Sequence, residues 1–298
     1  MKFTKKQFDV LVFLESHKVN RSQREIAKET GISVGSVNKI VSELCEEGFV
    51  AGGQITEKGI EALEPYRVKR AIFLAAGFGS RLVPVTLNTP KPLVRVKGIR
   101  IIDSLLDAVV AAGIEDIYIV RGYLGEQFDQ LLVKYPTIRF IENTVYNESN
   151  NISSAYMARH LIESSYVFEA DLLLYNPALI TKYQYSTNYL GVSTDRTDDW
   201  CFFTDAGGYI KKCTIGGRDC YHMFGLSYWT HEDGERLAGH LEEVFDRQPG
   251  GKERYWDEVA LGSFIDKYKV LVRECSFEDI IEIDTYNELK RLDSSYKM

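Results

Sequence analysis

The sequence predicts an α/β fold with a mainly parallel, Rossmann-like sheet and helices on both faces, preceded by a small helical domain. Residues 1 to about 66 carry apolar residues at helical spacing, whereas from Ala71 onward short apolar runs alternate with amphipathic helices. Such alternation is typical of a parallel sheet with helical crossovers. A chain of 298 residues is long enough for two domains. We therefore expect one domain over residues 1–66 and a second over residues 67–298.

The first domain is predicted to contain three helices and a small hairpin. The first helix carries the apolar run from Phe8 to Leu14, and Ser22-Gln23-Arg24-Glu25 is a capping box that opens the second. Ser33 caps the third helix. The segment from Phe49 to Ile55 could pair as a β-wing around two glycines.

The second domain alternates strands with helices after a predicted linker at residues 62–69. The strands are predicted at 71–74, 117–120, 138–141 and 166–170, and the helices at about 101–112, 124–134 and 152–162. Ligands of such sheets bind beyond the carboxyl ends of the strands. The loop that follows the first strand lies at such an end.

That loop, Leu74 to Arg81, combines small residues with positive charge. Its small residues are Ala75, Ala76, Gly77 and Gly79. They let backbone N–H groups approach an anion without a Cβ in the way, and Arg81 and Lys91 add cations where a triphosphate would lie. The spacing matches neither the Lys-Ser/Thr phosphate loop nor the dinucleotide fingerprint. The loop therefore predicts a nucleoside-triphosphate site, with ordinary surface charges as the alternative for the two cations.

Composition excludes several classes of protein. A net charge of −7 and a pI near 5.4 argue against a general nucleic-acid or membrane-surface binder. The five cysteines are odd in number and widely spaced, which suits free thiols in a reducing cytosol. No segment approaches the roughly 20 apolar residues that a membrane span requires. We expect a cytoplasmic protein without a membrane partner.

Several short sequence motifs together indicate a resemblance to a known family. From Leu74 the chain reads L-A-A-G-x-G-S-R-L-x-P-x-T-x-x-x-P-K, and later phrases lie at Gly122–Phe128, Asn150–Ser154, Glu169–Asp171, Tyr255–Asp257 and Glu282–Asp284. From about residue 69 to the C-terminus the chain resembles the bacterial CTP:phosphocholine cytidylyltransferases of the nucleotidyltransferase family. Residues 1–66 resemble a winged helix-turn-helix domain of the multiple-antibiotic-resistance regulator type, including its closing phrase Ile55-Thr56-Glu57-Lys58-Gly59.

The resemblance implies a cytidylyltransferase that joins CTP to a small phosphorylated amino alcohol and releases pyrophosphate. Arg81 would contact the β- and γ-phosphates, and Lys91 would bridge the α-phosphate and the incoming phosphate. Asp171 and Asp284 each follow a predicted strand and would hold Mg²⁺. Taken alone, either aspartate could instead cap the helix that follows it.

The ligand-binding residues also follow from the resemblance. The expected nucleotide contacts are Leu74, Ala75, Ala76, Gly77, Gly79, Ser80, Gly122, Tyr123, Asn151 and Ser153. Asn and Ser at a helix start are ordinarily caps, so only the resemblance assigns them to the nucleotide, and it alone implies cytosine.

The acceptor would lie against aromatic faces with a carboxylate nearby, as a quaternary ammonium requires. The expected residues are Trp200, Tyr255, Trp256 and Asp257. On composition alone, such an aromatic pair is more often part of a core. Glu258 stands where the family phrase has Asn, and an extra acid could favour a primary ammonium. Phosphoethanolamine and 2-aminoethylphosphonate therefore stay open beside phosphocholine.

Two other functions stay open. A sugar-1-phosphate nucleotidyltransferase would need an acceptor pocket rich in hydrogen-bonding side chains. A transcription regulator that uses an inactive transferase domain as a sensor would have lost Lys91 or the metal carboxylates.

Two roles stay open for residues 1–66: DNA binding, or dimerisation, packing or regulation of the enzyme. Ser36, Asn38 and Lys39 of the third helix would read bases, and Arg21 and Arg24 would contact phosphates. Nine Lys/Arg against ten Asp/Glu leave this domain at about −1, so phosphate neutralisation would depend on local patches. Domains of this type often pair, which makes a homodimer a further expectation.

Overall fold

The computed structural model describes residues 3–17 and 21–297 and divides the chain into two compact units. Unit 1 runs to Arg67 and also includes Tyr183–Tyr185, and unit 2 comprises Val68–Lys182 and the chain from Ser186 onward. The domain predicted at residues 1–66 did not include the three-residue segment.

The described residues of unit 1 form four α-helices and a two-stranded wing. Its elements are α1 (Lys5–Ser16), α2 (Gln23–Thr30), α3 (Val34–Glu46), β1 (Val50–Ala51), β2 (Gln54–Ile55) and α4 (Glu57–Leu63). The predicted capping box at Ser22 and Glu25 and the predicted cap at Ser33 are confirmed. The predicted wing is confirmed as well, since β1 and β2 pair in antiparallel register.

The predicted linker at residues 62–69 is largely helical. Thr56 caps α4 by accepting a hydrogen bond from Gly59 N, and Leu63 at its end is fully buried. A 3₁₀ turn at Glu64–Tyr66 follows directly. The cap and the buried leucine keep the chain helical where sequence reasoning placed a linker.

The core of unit 1 is completed by residues distant in sequence. Leu11, Val37 and Leu44 are fully buried within it, and Tyr183 is 3% exposed in the same cluster. The ring of Tyr185 stacks on that of Tyr66, with centroids 5.7 Å apart. Two aromatic rings from near position 184 therefore fill space that residues 1–67 leave open.

Unit 2 is built on a seven-stranded sheet. Its strands and helices are β3 (Arg70–Ala75), β4 (Arg95–Val96), β5 (Ile99–Arg100), α5 (Ile101–Ala111), β6 (Asp116–Arg121), β7 (Ile138–Glu142), α6 (Ile152–Ala158), β8 (Ser165–Glu169), β9 (Leu172–Leu174), β10 (Asn188–Thr204), β11 (Ile210–Trp229), α7 (His231–Glu242), β12 (Leu271–Glu274), β13 (Ile280–Glu282) and α8 (Tyr286–Leu292). The strand order is β12-β10-β11-β8-β3-β6-β7. All neighbours are parallel except β11, which is antiparallel to both β10 and β8. The predicted mainly parallel sheet is confirmed.

Alternate residues of β3 face two separate cores. Phe73 belongs to one buried cluster together with the apolar side of α5, including Leu105. Ile72 belongs to another cluster, with Ile152 of α6 and Leu237 of α7. Helices therefore cover both faces of the sheet, as the near-continuous apolar sequence of β3 predicts.

The predicted helix at 124–134 differs in type. Gly125–Val133 is a 3₁₀ segment that begins after Leu124, whose φ is 47°. The guanidinium of Arg121 donates to Gly125 O at 3.0 Å at the start of this segment. The predicted helix at 152–162 is α-helical to Ala158 and then 3₁₀ over Arg159–Leu161.

Short helical turns connect the remaining elements. The 3₁₀ turns of unit 2 include Ser80–Leu82, Val85–Leu87, Lys91–Leu93, Pro177–Leu179, Gly251–Glu253, Ile265–Lys267 and Ser294–Tyr296, and π-helical turns lie at Glu243–Arg247 and Val259–Ser263. Among the described helices, none combines the length and the apolar character needed to cross a membrane.

Candidate active site

A cavity of about 590 Å³ in unit 2 lies at the carboxyl ends of β3 and β8. Its wall contains the loop from Ala76 to Arg81, the side chain of Lys91, and both predicted metal ligands, Asp171 and Asp284. The phosphate loop, the cations and the carboxylates of the sequence analysis therefore meet in one place.

The pairing of β9 with β13 brings the two aspartates together. Glu282 lies opposite Leu172 in this antiparallel pair, and Ile283 N donates to Asp171 O at 3.2 Å. Asp284 follows directly, beside Asp171. Residues more than a hundred positions apart in sequence are thus held side by side by backbone hydrogen bonds.

Lys91 lies between these carboxylates. Its Nζ atom is 2.7 Å from Asp171 Oδ2 and 2.8 Å from Asp284 Oδ1, and the side chain of Arg81 also contacts Asp284 at 2.7 Å. Burial lowers the pKa of Lys91, but the charges of Asp171 and Asp284 outweigh it and raise that pKa above its usual value. The lysine is therefore permanently charged. Burial raises the pKa of Asp284, but Lys91 and then Arg81 bring it below its ordinary value.

The surrounding carboxylates fit a divalent cation. Carboxylate oxygens of Glu169, Asp171 and Glu282 lie within 4.8 Å of one another, and so do those of Asp199, Glu282 and Asp284. Asp171 Oδ1 is buried and has no hydrogen-bond partner among the described residues. Burial, followed by the charges of Asp171 and Asp284, raises the pKa of Glu282. An unpartnered oxygen among crowded acids is what a hard, oxygen-binding cation would satisfy.

One wall of the cavity offers polar groups beside a small-residue surface. The backbone of Ala75, Ala76 and Gly77 forms one side. The cavity is also lined by Asn143, whose side-chain amide donates to the hydroxyls of Ser153 at 2.9 Å and Ser154 at 3.1 Å. Polar side chains beside small residues are typical of sites that bind a planar base.

Another wall combines aromatic rings with acids. The rings of Trp200 and Tyr255 meet edge to face with centroids 5.7 Å apart. The carboxyl group of Asp257 lies beside them and accepts a hydrogen bond from the hydroxyl of Tyr189. Burial raises the pKa of Asp257 to about 7. Burial and then the charge of Asp257 raise the pKa of Glu169. Both acids would be stabilised by a bound cation.

Three residues predicted to bind ligand do not line the cavity. Trp256 is fully buried in a core cluster, where its ring packs near those of Trp229 and Tyr189. The hydroxyl of Tyr123 donates to the carbonyls of Thr86 and Leu87, away from the cavity. Gly122 lies behind the ring of Tyr146, which lines the cavity in its place.

The other predicted site residues do line it. They are Arg81, Lys91, Leu74, Ala75, Ala76, Gly77, Gly79, Ser80, Asn151, Ser153, Trp200, Tyr255, Asp257, Asp171 and Asp284. The side chain of Asn151 is occupied within the protein, since its Nδ2 donates to Glu169 at 3.1 Å and its Oδ1 accepts from Trp256 N at 2.9 Å. Asn151 therefore links Glu169 to the backbone of Trp256.

Sequence reasoning did not assign several lining residues. Asn143 and Tyr146 follow the carboxyl end of β7, so the rule that ligands bind beyond strand ends could have indicated them. Asp199 precedes Trp200 and could have been included with it. Gly225 lies inside the long strand β11, where nothing in the local pattern distinguishes it.

Comparisons with known proteins agree with this geometry. Residues 70–187 match the nucleotidyl transferase family, and residues 1–53 match the MarR family. The chain is 37% identical over 229 residues to the 2-aminoethylphosphonate cytidylyltransferase of Lancefieldella rimae, covering 76% of this chain and 92% of that protein. It is 30% identical over 230 residues to the choline-phosphate cytidylyltransferase of Streptococcus pneumoniae, covering 76% of this chain and 98% of that protein.

The fold agrees as well. The solved structure of the CTP:phosphocholine cytidylyltransferase from Streptococcus pneumoniae superposes with a TM-score of 0.71 at 30% identity, over 77% of this chain and 99% of that one.

Proposed function

The chain belongs to the nucleotidyl transferase family, among its cytidylyltransferases, and joins that domain to one of the MarR family, and we propose that it catalyses the following reaction. CTP reacts with a small phosphate ester or phosphonate that carries a positively charged amino group. The products are pyrophosphate and the CMP conjugate of the acceptor. This makes the enzyme a phosphocholine cytidylyltransferase or a close relative that acts on another amino-alcohol phosphate or on an aminophosphonate.

One observation carries the proposal. A single cavity contains the loop from Ala76 to Arg81, the buried cation of Lys91, and an aromatic wall with the carboxyl group of Asp257. The first two suit a triphosphate and the third suits a cationic group. A substrate that bears an anionic phosphorus group at one end and a cation at the other fits between them.

The acceptor supplies its own nucleophile. A phosphate monoester has a second pKa of about 6, so it is largely ionised near neutral pH and needs no dedicated general base. Its oxygen attacks the α-phosphorus, a new P–O bond forms, and the bond to pyrophosphate breaks. The protein's contribution is to place and neutralise the reacting groups.

Lys91 and Arg81 are the residues that would neutralise phosphate charge. Lys91 is 8% exposed and permanently charged, which suits the point where the two reacting phosphorus groups approach each other. The side chain of Arg81 is 66% exposed, so it can turn from Asp284 toward the β- and γ-phosphates.

Asp171 and Asp284 would hold Mg²⁺, with Glu169 and Glu282 nearby. When bound, the ion supplies a Lewis acid that neutralises charge on the triphosphate. The carboxylates that now pair with Lys91 would then face the metal, leaving the lysine free for phosphate oxygens.

The acceptor wall opposes a sugar phosphate. Trp200 and Tyr255 offer ring faces, and Asp257 offers a buried carboxyl group beside them. Burial raises the pKa of Asp257 to about 7, and a cationic acceptor would favour its ionised form, whereas a neutral sugar would not. The supported acceptors are therefore phosphocholine, phosphoethanolamine and 2-aminoethylphosphonate.

Pyrophosphate release tests the proposal. The full-length protein is incubated with Mg²⁺ and CTP, or with ATP, GTP or UTP, and with each of the three acceptors or glucose-1-phosphate. We expect turnover with CTP and at least one amino acceptor, and little with glucose-1-phosphate. Turnover confined to the sugar phosphate, or absent with every pair, would contradict the proposal.

DNA binding by unit 1 is a second proposed function. The match to the MarR family supports it, and Asn38, Lys39 and Arg24 are exposed on α3 and α2. Lys39 is held by only a long 3.9 Å contact to Glu43. These side chains are available for a groove and for phosphates. Pairing of two chains into a homodimer would present two such helices to DNA.

A further inference from the structure

Two side chains outside the cavity, Thr86 and Tyr123, hold the segment that joins the phosphate loop to Lys91. Resting on the proposed function, we infer that both are positioning residues, which fix the peptide between Gly79 and Ser80 so that its N–H faces the phosphates of CTP. Neither side chain lines the cavity. Each therefore acts through the backbone of the loop and touches no substrate.

Thr86 contacts the phosphate loop directly. The residue is 2% exposed, and its hydroxyl donates to Gly79 O at 2.8 Å. Leu82 N donates to the same carbonyl at 2.9 Å. Two donors, one from a side chain and one from the backbone, therefore fix the direction in which the Gly79 carbonyl points.

The direction of this carbonyl decides that of the next amide. The peptide between Gly79 and Ser80 is trans, and in a planar trans peptide the C=O and the N–H point in opposite directions. Gly79 and Ser80 line the cavity, whereas Thr86 does not. The N–H of Ser80 is therefore turned away from Thr86, and it forms no hydrogen bond with the residues at 3–17 and 21–297. Such a backbone N–H is available to a phosphate oxygen.

The conformation of Gly79 leaves little room for another arrangement. Its φ of 62° lies in the left-handed region that favours glycine. A Cβ at this position would lie 2.9 Å from Cβ of Lys91 and 3.1 Å from Cγ2 of Thr86. The glycine is thus packed between the lysine and the threonine, so a displaced Thr86 would disturb the phosphate loop.

Tyr123 holds the segment from the other side. Its hydroxyl donates to Thr86 O at 3.0 Å and lies 3.2 Å from Leu87 O. Its backbone N donates to Ala76 O at 3.0 Å, and its ring centroid lies 5.1 Å from that of Phe78. One residue therefore contacts the phosphate loop and the segment that follows it.

Apolar burial contributes little to the hold on this segment. Leu82 is fully buried, but Val83 is 46% exposed and Leu87 is 58% exposed. Segments with few buried apolar contacts open most easily, so the hydrogen bonds made to them matter more. Gln127 adds one such bond, from its Nε2 to Asn88 O at 2.9 Å. The position of Thr86 therefore depends on polar contacts that single substitutions remove.

Two substitutions of Thr86 separate its hydroxyl from its volume. Thr86→Val keeps the branched shape without a donor, whereas Thr86→Ser keeps the hydroxyl and loses the methyl group. Isothermal titration calorimetry with Mg²⁺ gives the Kd of the full-length protein for CTP and for inorganic tripolyphosphate, which lacks the base. We expect Thr86→Val to raise both Kd values about tenfold, and Thr86→Ser to raise them less than about threefold.

Tyr123→Phe tests the second contact. It should raise the Kd for CTP by about threefold or more. Combined with Thr86→Val it should add little, because both residues act on one segment. Tyr118→Phe is the matched control on β6, since the hydroxyl of Tyr118 accepts from Arg139 at 2.7 Å. This control should leave the Kd unchanged, and thermal unfolding checks that every variant is folded.

A role of Thr86 in packing alone would reverse the order of the variants. Weaker binding of CTP by Thr86→Ser, with normal binding by Thr86→Val, would overturn the inference. Unchanged Kd values in both Thr86→Val and Tyr123→Phe would overturn it too. Should Thr86→Val not fold, Tyr123→Phe against Tyr118→Phe decides the question.

The inference and the proposed function fail in distinguishable ways, because binding is measured without turnover. In turnover, Thr86→Val should raise KM for CTP and leave KM for the acceptor unchanged. A protein whose CTP binding weakens in Thr86→Val but which turns over no amino acceptor contradicts the proposed function alone. Turnover of such an acceptor with the same KM for CTP in Thr86→Val contradicts the inference alone. Binding of neither CTP nor tripolyphosphate by the unsubstituted protein contradicts both.

Discussion

Nζ of Lys91 lies 2.7 Å from Oδ2 of Asp171, and the same nitrogen contacts Asp284 at 2.8 Å. The cation proposed to stabilise the reacting phosphates therefore pairs with the two carboxylates proposed to hold the metal. Arg81 contacts Asp284 as well, so the three side chains form one network with Lys91.

Lys91→Ala should reduce kcat by about 10²–10³-fold, the usual cost of removing one charge-stabilising donor from an active site. It also leaves Asp171 and Asp284 side by side without their lysine, so Tm should fall in EDTA and recover in part with excess Mg²⁺. Pyrophosphate release and thermal unfolding measure the two effects. Lys69→Ala, at an exposed position just before β3, is the control and should resemble wild type in both. Wild-type turnover by Lys91→Ala would remove the lysine from the mechanism.

Asp171→Asn should weaken Mn²⁺ binding at least tenfold. Removing a group that only hydrogen-bonds to a metal ligand already costs about 10–100-fold in metal affinity. Asp171 is proposed as a ligand itself, and its Oδ1 atom is buried without a hydrogen-bond partner among the described residues. Electron paramagnetic resonance of Mn²⁺ checks the affinity independently of turnover. Asp107→Asn, on the far side of α5 and paired with Lys134, is a suitable control. Unchanged Mn²⁺ affinity in the Asp171 variant would contradict the predicted metal site.

Asp257 should make stability depend on pH. Its folded-state pKa is raised from 3.8 to about 7, mainly by burial. Between pH 3.8 and about 7, the folded state keeps a proton on Asp257 that the unfolded chain releases. The free energy of unfolding therefore falls as pH rises through this range, and the loss is complete above about pH 7. Asp257→Asn removes this loss in the free energy of unfolding. The substitution should therefore raise Tm more at pH 8 than at pH 4, by about 2–4 °C for each kcal/mol of stability that is regained. Scanning calorimetry at both values is the measurement, and an equal change at both would disprove the assignment.

Gly122→Ala should raise KM for CTP by about tenfold, because one displaced contact of about 1.4 kcal/mol is a factor of ten. The added Cβ would lie 2.7 Å from ring carbons of Tyr146, which lines the cavity. The tyrosine must shift, while the acceptor wall is untouched. Steady-state kinetics with varied CTP and with varied acceptor separate the two. Gly239→Ala on α7 has nothing within 4 Å of its Cβ and should change neither value.

Unit 1 should bind the DNA upstream of its own gene at low salt. Fluorescence anisotropy with and without CTP gives the affinity, and its slope against salt gives the number of phosphate contacts. Arg24→Glu should weaken binding and flatten that slope because Arg24 is expected on a phosphate, whereas Lys58→Ala in α4, which contacts Glu47 O, should change neither. Failure to bind at low salt in any condition would reduce unit 1 to a structural role.

Much of this molecule follows from local sequence patterns. The strands β3, β6, β7 and β8 were predicted within two residues because continuous apolar runs and small-residue turns are local signals. The loop from Ala76 to Arg81 was predicted for the same reason. The family resemblance is confirmed by the comparisons.

What local patterns could not predict depends on tertiary contacts. Tyr255 and Trp256 are adjacent aromatic residues, yet the ring of Tyr255 faces the cavity and that of Trp256 packs against Trp229. Gly225 meets Glu169 only because β11 and β8 are neighbours in the sheet. The surroundings of these residues are decided by parts of the chain that are distant in sequence, so a local pattern does not reveal them.

The presence of Tyr183 and Tyr185 in the core of unit 1 limits how this gene can have evolved. A regulator domain acquired whole by end-to-end recombination would bring its own complete interior. Here the first 67 residues depend on codons more than a hundred positions downstream. We therefore expect that replacing either segment by that of a homologue requires a matching change in the other.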